Sequence, residues 1–248
     1  THGGNVIDEK DIVVNDDLDA DNLIPWNPLD TFAGSFDGNG HTISGLFQNV
    51  TEETDAQNLG FIRVLVAKPE TPTVIKNLGI VDSYFEMMGN TGVRAAIFVV
   101  DVIDSDLEDG KDSYAKILNC YNQSQIYVKG YGRDANLVER IGEHVVLTME
   151  NSYSVEDGFL YGSNRGTFDV KNSYILDSKE KLDSYGIMHV TSDQFRNGAV
   201  AFALHEADPI WGQNVQKDKY PNFSGAIKNS KVDRYSVTFH TFTGDTAD

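Results

Sequence analysis

Ile117-Leu118-Asn119-Cys120-Tyr121, Met149-Glu150-Asn151-Ser152-Tyr153 and Val170-Lys171-Asn172-Ser173-Tyr174 repeat one pattern: an apolar residue, any residue, Asn, a small residue, then Tyr. Ile75-Lys76-Asn77-Leu78 is a fourth copy without the Tyr, and Ile43-Ser44-Gly45-Leu46 is a fifth with Gly in the Asn place. The intervals between the Asn or Gly positions are 32, 42, 32 and 21 residues. Rounds of about 20–25 residues, sometimes lengthened by a loop, fit that series and the period of repeat architectures. Asn recurs for a physical reason. Where a strand ends and the chain turns sharply, Asn tolerates left-handed backbone angles and bonds nearby backbone groups; Gly45 suits the same need for positive φ. Stacked at the strand spacing, Gly45, Asn77, Asn119, Asn151 and Asn172 are expected to form a structural ladder. The apolar residue two places before each points into the core, and Asn119 and Asn151 are expected to be buried. The fold class this predicts is all-β: a right-handed parallel β-helix, or solenoid.

The remaining strands read as short and β-branched, as in Ile12-Val13-Val14, Ile97-Phe98-Val99-Val100, Val145-Val146-Leu147 and Phe168-Asp169-Val170, with Gly, Asn and Asp between them. Helical periodicity appears only near the C-terminus. Thr191-Ser192-Asp193-Gln194 is a capping box, and Phe195, Val200, Phe202 and Leu204 follow it, predicting a capping helix over residues 192–205 that closes the end of the stack. Pro209 ends the pattern. Residues 1–224 are then one β-helix domain, 225–234 a polar linker, and 235–248 the first strand of a following domain cut short.

The opening coil resembles a known family. Asp11-Ile12-Val13-Val14-Asn15, Trp26-Asn27-Pro28-Leu29 and the run from Phe32 through Gly34-Ser35-Phe36-Asp37-Gly38-Asn39-Gly40-His41 to Leu46 are similar to the β-helical repeat regions, often carrying the GLUG motif, of large surface proteins of gut and oral bacteria. The element that names the motif stands here as Leu59-Gly60-Phe61-Ile62-Arg63 and Gly158-Phe159-Leu160-Tyr161-Gly162. The likeness covers roughly residues 11 to 223, and the tail from Tyr235 to Gly244 resembles the start of an internalin-type B repeat. The resemblance implies an extracellular module on the bacterial surface or secreted from it. Such a module serves adhesion, ligand display or spacing, with host or bacterial glycans or proteins and the neighbouring domains of its own polypeptide as partners. A carbohydrate-active β-helix enzyme, a polysaccharide lyase or glycoside hydrolase, is the alternative.

Composition narrows the choice. Lys plus Arg is 20 against 38 Asp plus Glu, a formal charge of −18, which repels nucleic acid and anionic membranes. No apolar run reaches the roughly 20 residues of a membrane span, so membrane insertion is not expected. Thr1-His2-Gly3-Gly4 lacks the basic and apolar regions of a signal peptide, and a start without Met reads as a fragment or processed form. Cys120 is the one cysteine, so no internal disulfide forms.

Chemistry-bearing motifs are sparse. No Gly-x-Ser-x-Gly elbow is present. Cys120 falls in a ladder turn and reads as a small apolar residue. The six histidines lack zinc spacing, and His41 reads as structural. Asp101, Asp104 and Asp106 alternate beyond an apolar strand and read as a solvated turn rather than as catalytic acids. Asp17, Asp19 and Asp21 set oxygen donors at alternate positions as the start of an EF-hand loop does, and are the candidate ligands for calcium, the one cofactor considered. The twelfth position is Pro28 rather than Glu, which excludes a true EF-hand. A second acidic loop, Asp104 to Gly110, has its Gly one place late. Catalytic residues are expected to be absent. Tyr121, Tyr153 and Tyr174 are expected to stack along one side as a ridge.

Overall fold

Apolar residues at alternate positions on either side of a left-handed Asn give two strands meeting at a corner, and this arrangement recurs through the molecule. A computed structural model describes residues 4–50, 58–89, 94–105, 110–130, 133–156, 161–178 and 180–230. The chain is predominantly β and its long sheets are parallel. Two sheets take strands alternately. One contains Leu29–Phe32, Ile62–Ala67, Val99–Asp104, Val138–Ile141 and Tyr161–Asn164, each paired in parallel with the next. The other is built on Ser35–Ser44, Thr73–Gly89, Ser113–Gly130, Val145–Glu150 and Thr167–Lys171. Met188–Val190 closes that sheet, with Lys181–Leu182 antiparallel beside it.

Register aligns like with like. Phe36, Ile75, Ile117, Met149 and Val170 stand side by side across five strands, and Ile62, Val99 and Val138 do so in the other sheet. Ile75, Ile117, Met149, Ile62, Val99 and Val138 are wholly buried between the sheets. Asn77, Asn119, Asn151 and Asn172 have φ of 53°, 52°, 49° and 47°, the left-handed region that Asn enters at low cost. The Asn119 amide donates to Asn77 Oδ1 at 2.9 Å, and the Asn172 amide to Asn151 Oδ1 at 2.8 Å. Among the described residues no bond joins Asn119 to Asn151, so the column is two pairs rather than a continuous run. Asn119 is buried and Asn151 only half-buried.

Gly45 does not belong to that column. Phe36 pairs with Ile75, 39 residues on, while Ile43 pairs with Ile80, 37 on. Two extra residues are absorbed at Gly38-Asn39-Gly40, where Asn39 (φ 52°) and Gly40 (φ 82°) make the turn. Asp37 takes up the end of the Asn column by accepting from the Asn77 amide at 2.9 Å. Gly45 (φ 69°) stands at the next corner, where its N–H donates to the carbonyl of Asp82 (φ 44°). A Cβ on Gly45 would lie 1.9 Å from the Asn15 carbonyl, so a loop packed against the corner also requires glycine there.

Serine forms a second inner column. Ser152 Oγ accepts the Cys120 N–H at 3.1 Å, and Ser173 Oγ accepts the Ser152 N–H at 3.4 Å. At the other corner Ser83 Oγ accepts from Leu46, and Ser124 Oγ from Ser83. Ser83, Ser152 and Ser173 each donate back to the carbonyl two residues earlier. The buried turn amides are thereby satisfied from the neighbouring round. Cys120 occupies the same column, its thiol toward the Leu118 carbonyl.

The C-terminal segment departs from expectation. Thr191 and Gln194 form the capping box, but the helix stops at Arg196. A left-handed Gly198 (φ 88°) then separates Ser192–Arg196 from Ala199–Ala207. The pair also packs along the side of the stack rather than across its end. Tyr121, Tyr153 and Tyr174, adjacent in register, point outward from successive rounds. Tyr121 and Tyr153 stack at 5.2 Å with 7° between their rings. Phe195, Val200, Leu204 and Trp211 cover them. Further on, Trp211 Nε1 donates to Asn119 Oδ1, Asp208 accepts from the Asn119 amide at 2.8 Å, and the Pro221 carbonyl accepts from Tyr153 Oη. The ridge is a second core. Residues 225–230 are not a free linker either: Ile227–Lys228 pairs in parallel with Gln213–Asn214. The strand expected over 235–248 lies outside the described residues.

Candidate functional site

With one side sealed by the C-terminal segment, the face beyond the Gly45–Asp82 corner is the part of the surface best built to meet a ligand. There Phe47–Val50 lies beside the end of Thr73–Gly89, which lies beside the end of Ser113–Gly130. Alternation turns Gln48, Phe85 and Ile126 inward, all buried, and leaves Phe47, Tyr84 and Gln125 as one outward row. Asn49, Glu86 and Tyr127 form the next row, and Met88 and Lys129 the beginning of a third. Tyr127 is 49% exposed and Met88 41%.

Polar contacts order this face. Tyr84 Oη donates to Glu86 Oε2 at 3.2 Å, and Lys129 Nζ donates to Glu86 Oε1 at 2.8 Å. The same ammonium lies 5.1 Å from the centre of the Tyr127 ring. The Lys129 bond is the main influence holding the Glu86 carboxyl below its ordinary range. Burial, followed by the Glu86 charge, pushes the Tyr84 hydroxyl up.

A loop walls the face on one side. Asn15 fastens its base, donating to the Ile24 and Gly45 carbonyls and accepting from the Ile24 N–H. Asp17 Oδ1 accepts the Asp19 N–H at 2.9 Å, which shapes the tip. Between loop and sheet lies an open cleft of about 780 Å³ lined by Asp16, Asp17, Asp19, Asp82, Phe47, Tyr84 and Gln123 among others. Of the calcium candidates, Asp17 and Asp19 stand on its wall, while Asp21 is exposed and not part of it. Among the described residues no group of three or more His, Cys, Asp or Glu side chains is placed to hold a metal ion.

The other acidic candidates are in a different setting from the one expected. Asp101 and Asp104 are each 6% exposed, not solvated. Asp101 meets Arg140 Nε at 2.7 Å and Arg94 Nη1 at 3.6 Å, and Arg94 also meets the fully buried Glu139 at 3.2 Å. Asp104 accepts from Ser113 Oγ. A buried charge is tolerated only when paired in this way, so these carboxylates read as structural. Asp106 lies outside the described residues. Cys120 is wholly buried, and desolvation pushes its thiol up to about 12, far from a reactive thiolate. His41 approaches Asp11 at 3.4 Å, and neither residue lines the cleft. His189 stands between Asp177 at 2.8 Å and Asp183 at 3.9 Å, a grouping that no local sequence pattern marks.

No helix among the described residues is long and apolar enough to cross a membrane. No family model matches this sequence, and no curated protein does. Among solved structures, the chain is similar to the 1.30 Å crystal structure of a protein from Bacteroides ovatus provisionally named an immunoglobulin A1 protease, with 16% identity, a TM-score of 0.40, and coverage of 89% of this chain and 86% of that one.

Proposed function

We propose that this chain is a right-handed parallel β-helix serving as a non-catalytic extracellular module of a bacterial surface protein, one that displays or spaces a binding surface. Strands that alternate between two parallel sheets, with Asn and Ser columns at the corners, support the solenoid. One observation carries the functional reading: a built outward face, with tyrosines, amides and a walled cleft, lies where no segment of the described chain covers it. The formal net charge of −18 disfavours nucleic acid and anionic membranes as partners and leaves glycans or proteins.

The test is an assay for turnover. A panel of acidic and neutral polysaccharides, with and without added calcium, is followed for release of reducing ends or unsaturated products. No release is expected. Turnover abolished by Asp82→Asn, or by Asp101→Asn in a variant that keeps its melting temperature, would replace this reading with that of a carbohydrate-active enzyme.

A further inference from the structure

We propose that the cleft and the adjoining sheet face bind an uncharged oligosaccharide, with Tyr84 and Tyr127 as the stacking rings and Gln123, Gln125 and Asn49 as the hydrogen-bonding groups. The proposal rests on the reading of the chain as a display module and names the ligand class of its surface.

Tyr84 is in register with Gln125, and Tyr127 with Glu86, so the two rings are diagonal neighbours on adjacent parallel strands. Diagonal neighbours lie about 7–8 Å apart. Phe47 is directly beside Tyr84, which extends the aromatic surface toward the cleft. Flat rings on a rigid sheet present apolar area with little conformational entropy left to lose, and a hydroxyl at the edge to bond. Pyranose rings have matching character: an apolar C–H face, with hydroxyls around the rim that seek donors and acceptors.

The polar groups match as well. Gln125 and Asn49 are exposed beside the rings with amides that both donate and accept, and Gln123 lines the cleft with its amide nitrogen already bound to Tyr153 Oη at 2.7 Å and to the Pro221 carbonyl, so it offers its oxygen as an acceptor. Glu86 is already held between Tyr84 and Lys129, so its oxygens are ordered before any ligand arrives.

Charge selects within the sugars. Asp16, Asp17, Asp19 and Asp82 line the cleft and Glu86 adjoins it, five carboxylates against, among the described residues, the single ammonium of Lys129, which Glu86 engages. Sialylated, sulfated or uronic-acid glycans would enter a repulsive field, whereas a neutral glycan carries no charge to be repelled and meets carboxylate acceptors for its hydroxyls.

The experiment is a glycan array carrying neutral oligosaccharides beside sialylated, sulfated and uronic-acid ones, followed by calorimetry on the best neutral probe. Wild type is expected to bind neutral members. Tyr84→Ala and Tyr127→Ala should each weaken that binding about tenfold, equivalent to about 1.4 kcal/mol. Tyr84→Phe, which keeps the ring and loses only the hydroxyl bonded to Glu86, should weaken binding less than Tyr84→Ala does. Tyr114→Ala, which removes an exposed tyrosine elsewhere, should change nothing. Circular dichroism melts establish that every variant is folded. Binding of anionic glycans alone, or of no glycan at all, overturns the proposal. Neutral binding that survives both Tyr84→Ala and Tyr127→Ala overturns this site while sparing the display reading, and turnover of a bound glycan overturns the display reading itself.

Discussion

Replacing Asn119 by Ala tests the corner geometry at its most connected point. The Asn119 amide donates to Asn77 Oδ1 and to Asp208 Oδ2, and its oxygen accepts from the buried Trp211. Truncation removes all three bonds and leaves the Trp211 N–H and the Asp208 carboxylate short of a partner. Neutral bonds contribute about 0.5–1.5 kcal/mol each, and one to a charged group about 1.5–3. An alanine forced to the Asn119 φ of 52° pays a further 1–2 kcal/mol or so of left-handed strain. Allowing for relaxation of the freed groups, the loss should be about 3–5 kcal/mol. Urea unfolding at low temperature, followed by fluorescence of Trp211, measures it. Asn119→Gly loses the same bonds but not the strain, so it should be about 1 kcal/mol less damaging than Asn119→Ala. If Asn119→Ala unfolds within about 0.5 kcal/mol of wild type, or Gly is no better than Ala, the reasoning from bonds and backbone is wrong.

Deleting everything after Val190 should bare Tyr121, Tyr153 and Tyr174, with strong binding of a hydrophobic dye and association detected by light scattering; a monomeric, dye-negative product would refute the second core. Asp8 and Asp37 should respond to pH with opposite signs. Burial raises the Asp8 carboxyl, the nearby Asp37 adding to this and His41 opposing it, so its stability contribution is lost as pH climbs through the raised value. Asp8→Asn should therefore raise the melting point at pH 7, an advantage that fades at pH values below the ordinary Asp range. Burial also disfavours the Asp37 anion, but the Asn39 N–H, the Asn77 amide and Lys76 outweigh it and hold this carboxyl low. Its contribution is present above the ordinary Asp range and disappears as pH falls through the lowered value, so Asp37→Asn should lower the melting point at pH 7 and converge on wild type in acid. Cys120 should resist a thiol reagent in the native state and react only on denaturation, as followed by mass spectrometry.

The parts of this structure legible in the sequence are those where one residue type answers one local demand. Asn77, Asn119, Asn151 and Asn172 stand out because a left-handed corner next to an inward apolar residue admits few alternatives. Thr191 and Gln194 announce a helix start for the same reason. Gly45 misleads because Ile43-Ser44-Gly45-Leu46 copies the local spacing, while the two residues that move it to another corner sit earlier, at Gly38-Asn39-Gly40. The Ser column is hidden because serine is common in any loop and its acceptor role involves an amide 21 to 41 residues away. Tyr121, Tyr153 and Tyr174 point outward whether wet or covered, so only the docked helices distinguish ridge from core. Phe47, Tyr84 and Tyr127 are unremarkable as text; register alone makes them neighbours.

The C-terminal strap has a consequence for how the molecule comes apart. A stack in which each round touches only its neighbours unravels piecemeal, because every interface is an independent link in a one-dimensional series. Here residues 203–223 reach Asn172 through the Ala203 carbonyl, Tyr153 through Pro221, Asn119 through Asp208 and Trp211, and pack near Gly40 through Phe223 and Ile210. The hydrogen bonds among these links join positions 31 to 92 residues apart, and one of them fails only if several rounds shift together. The strap thus converts a chain of separable units into one cooperative element, in which fraying of an inner round also costs contacts made several rounds away.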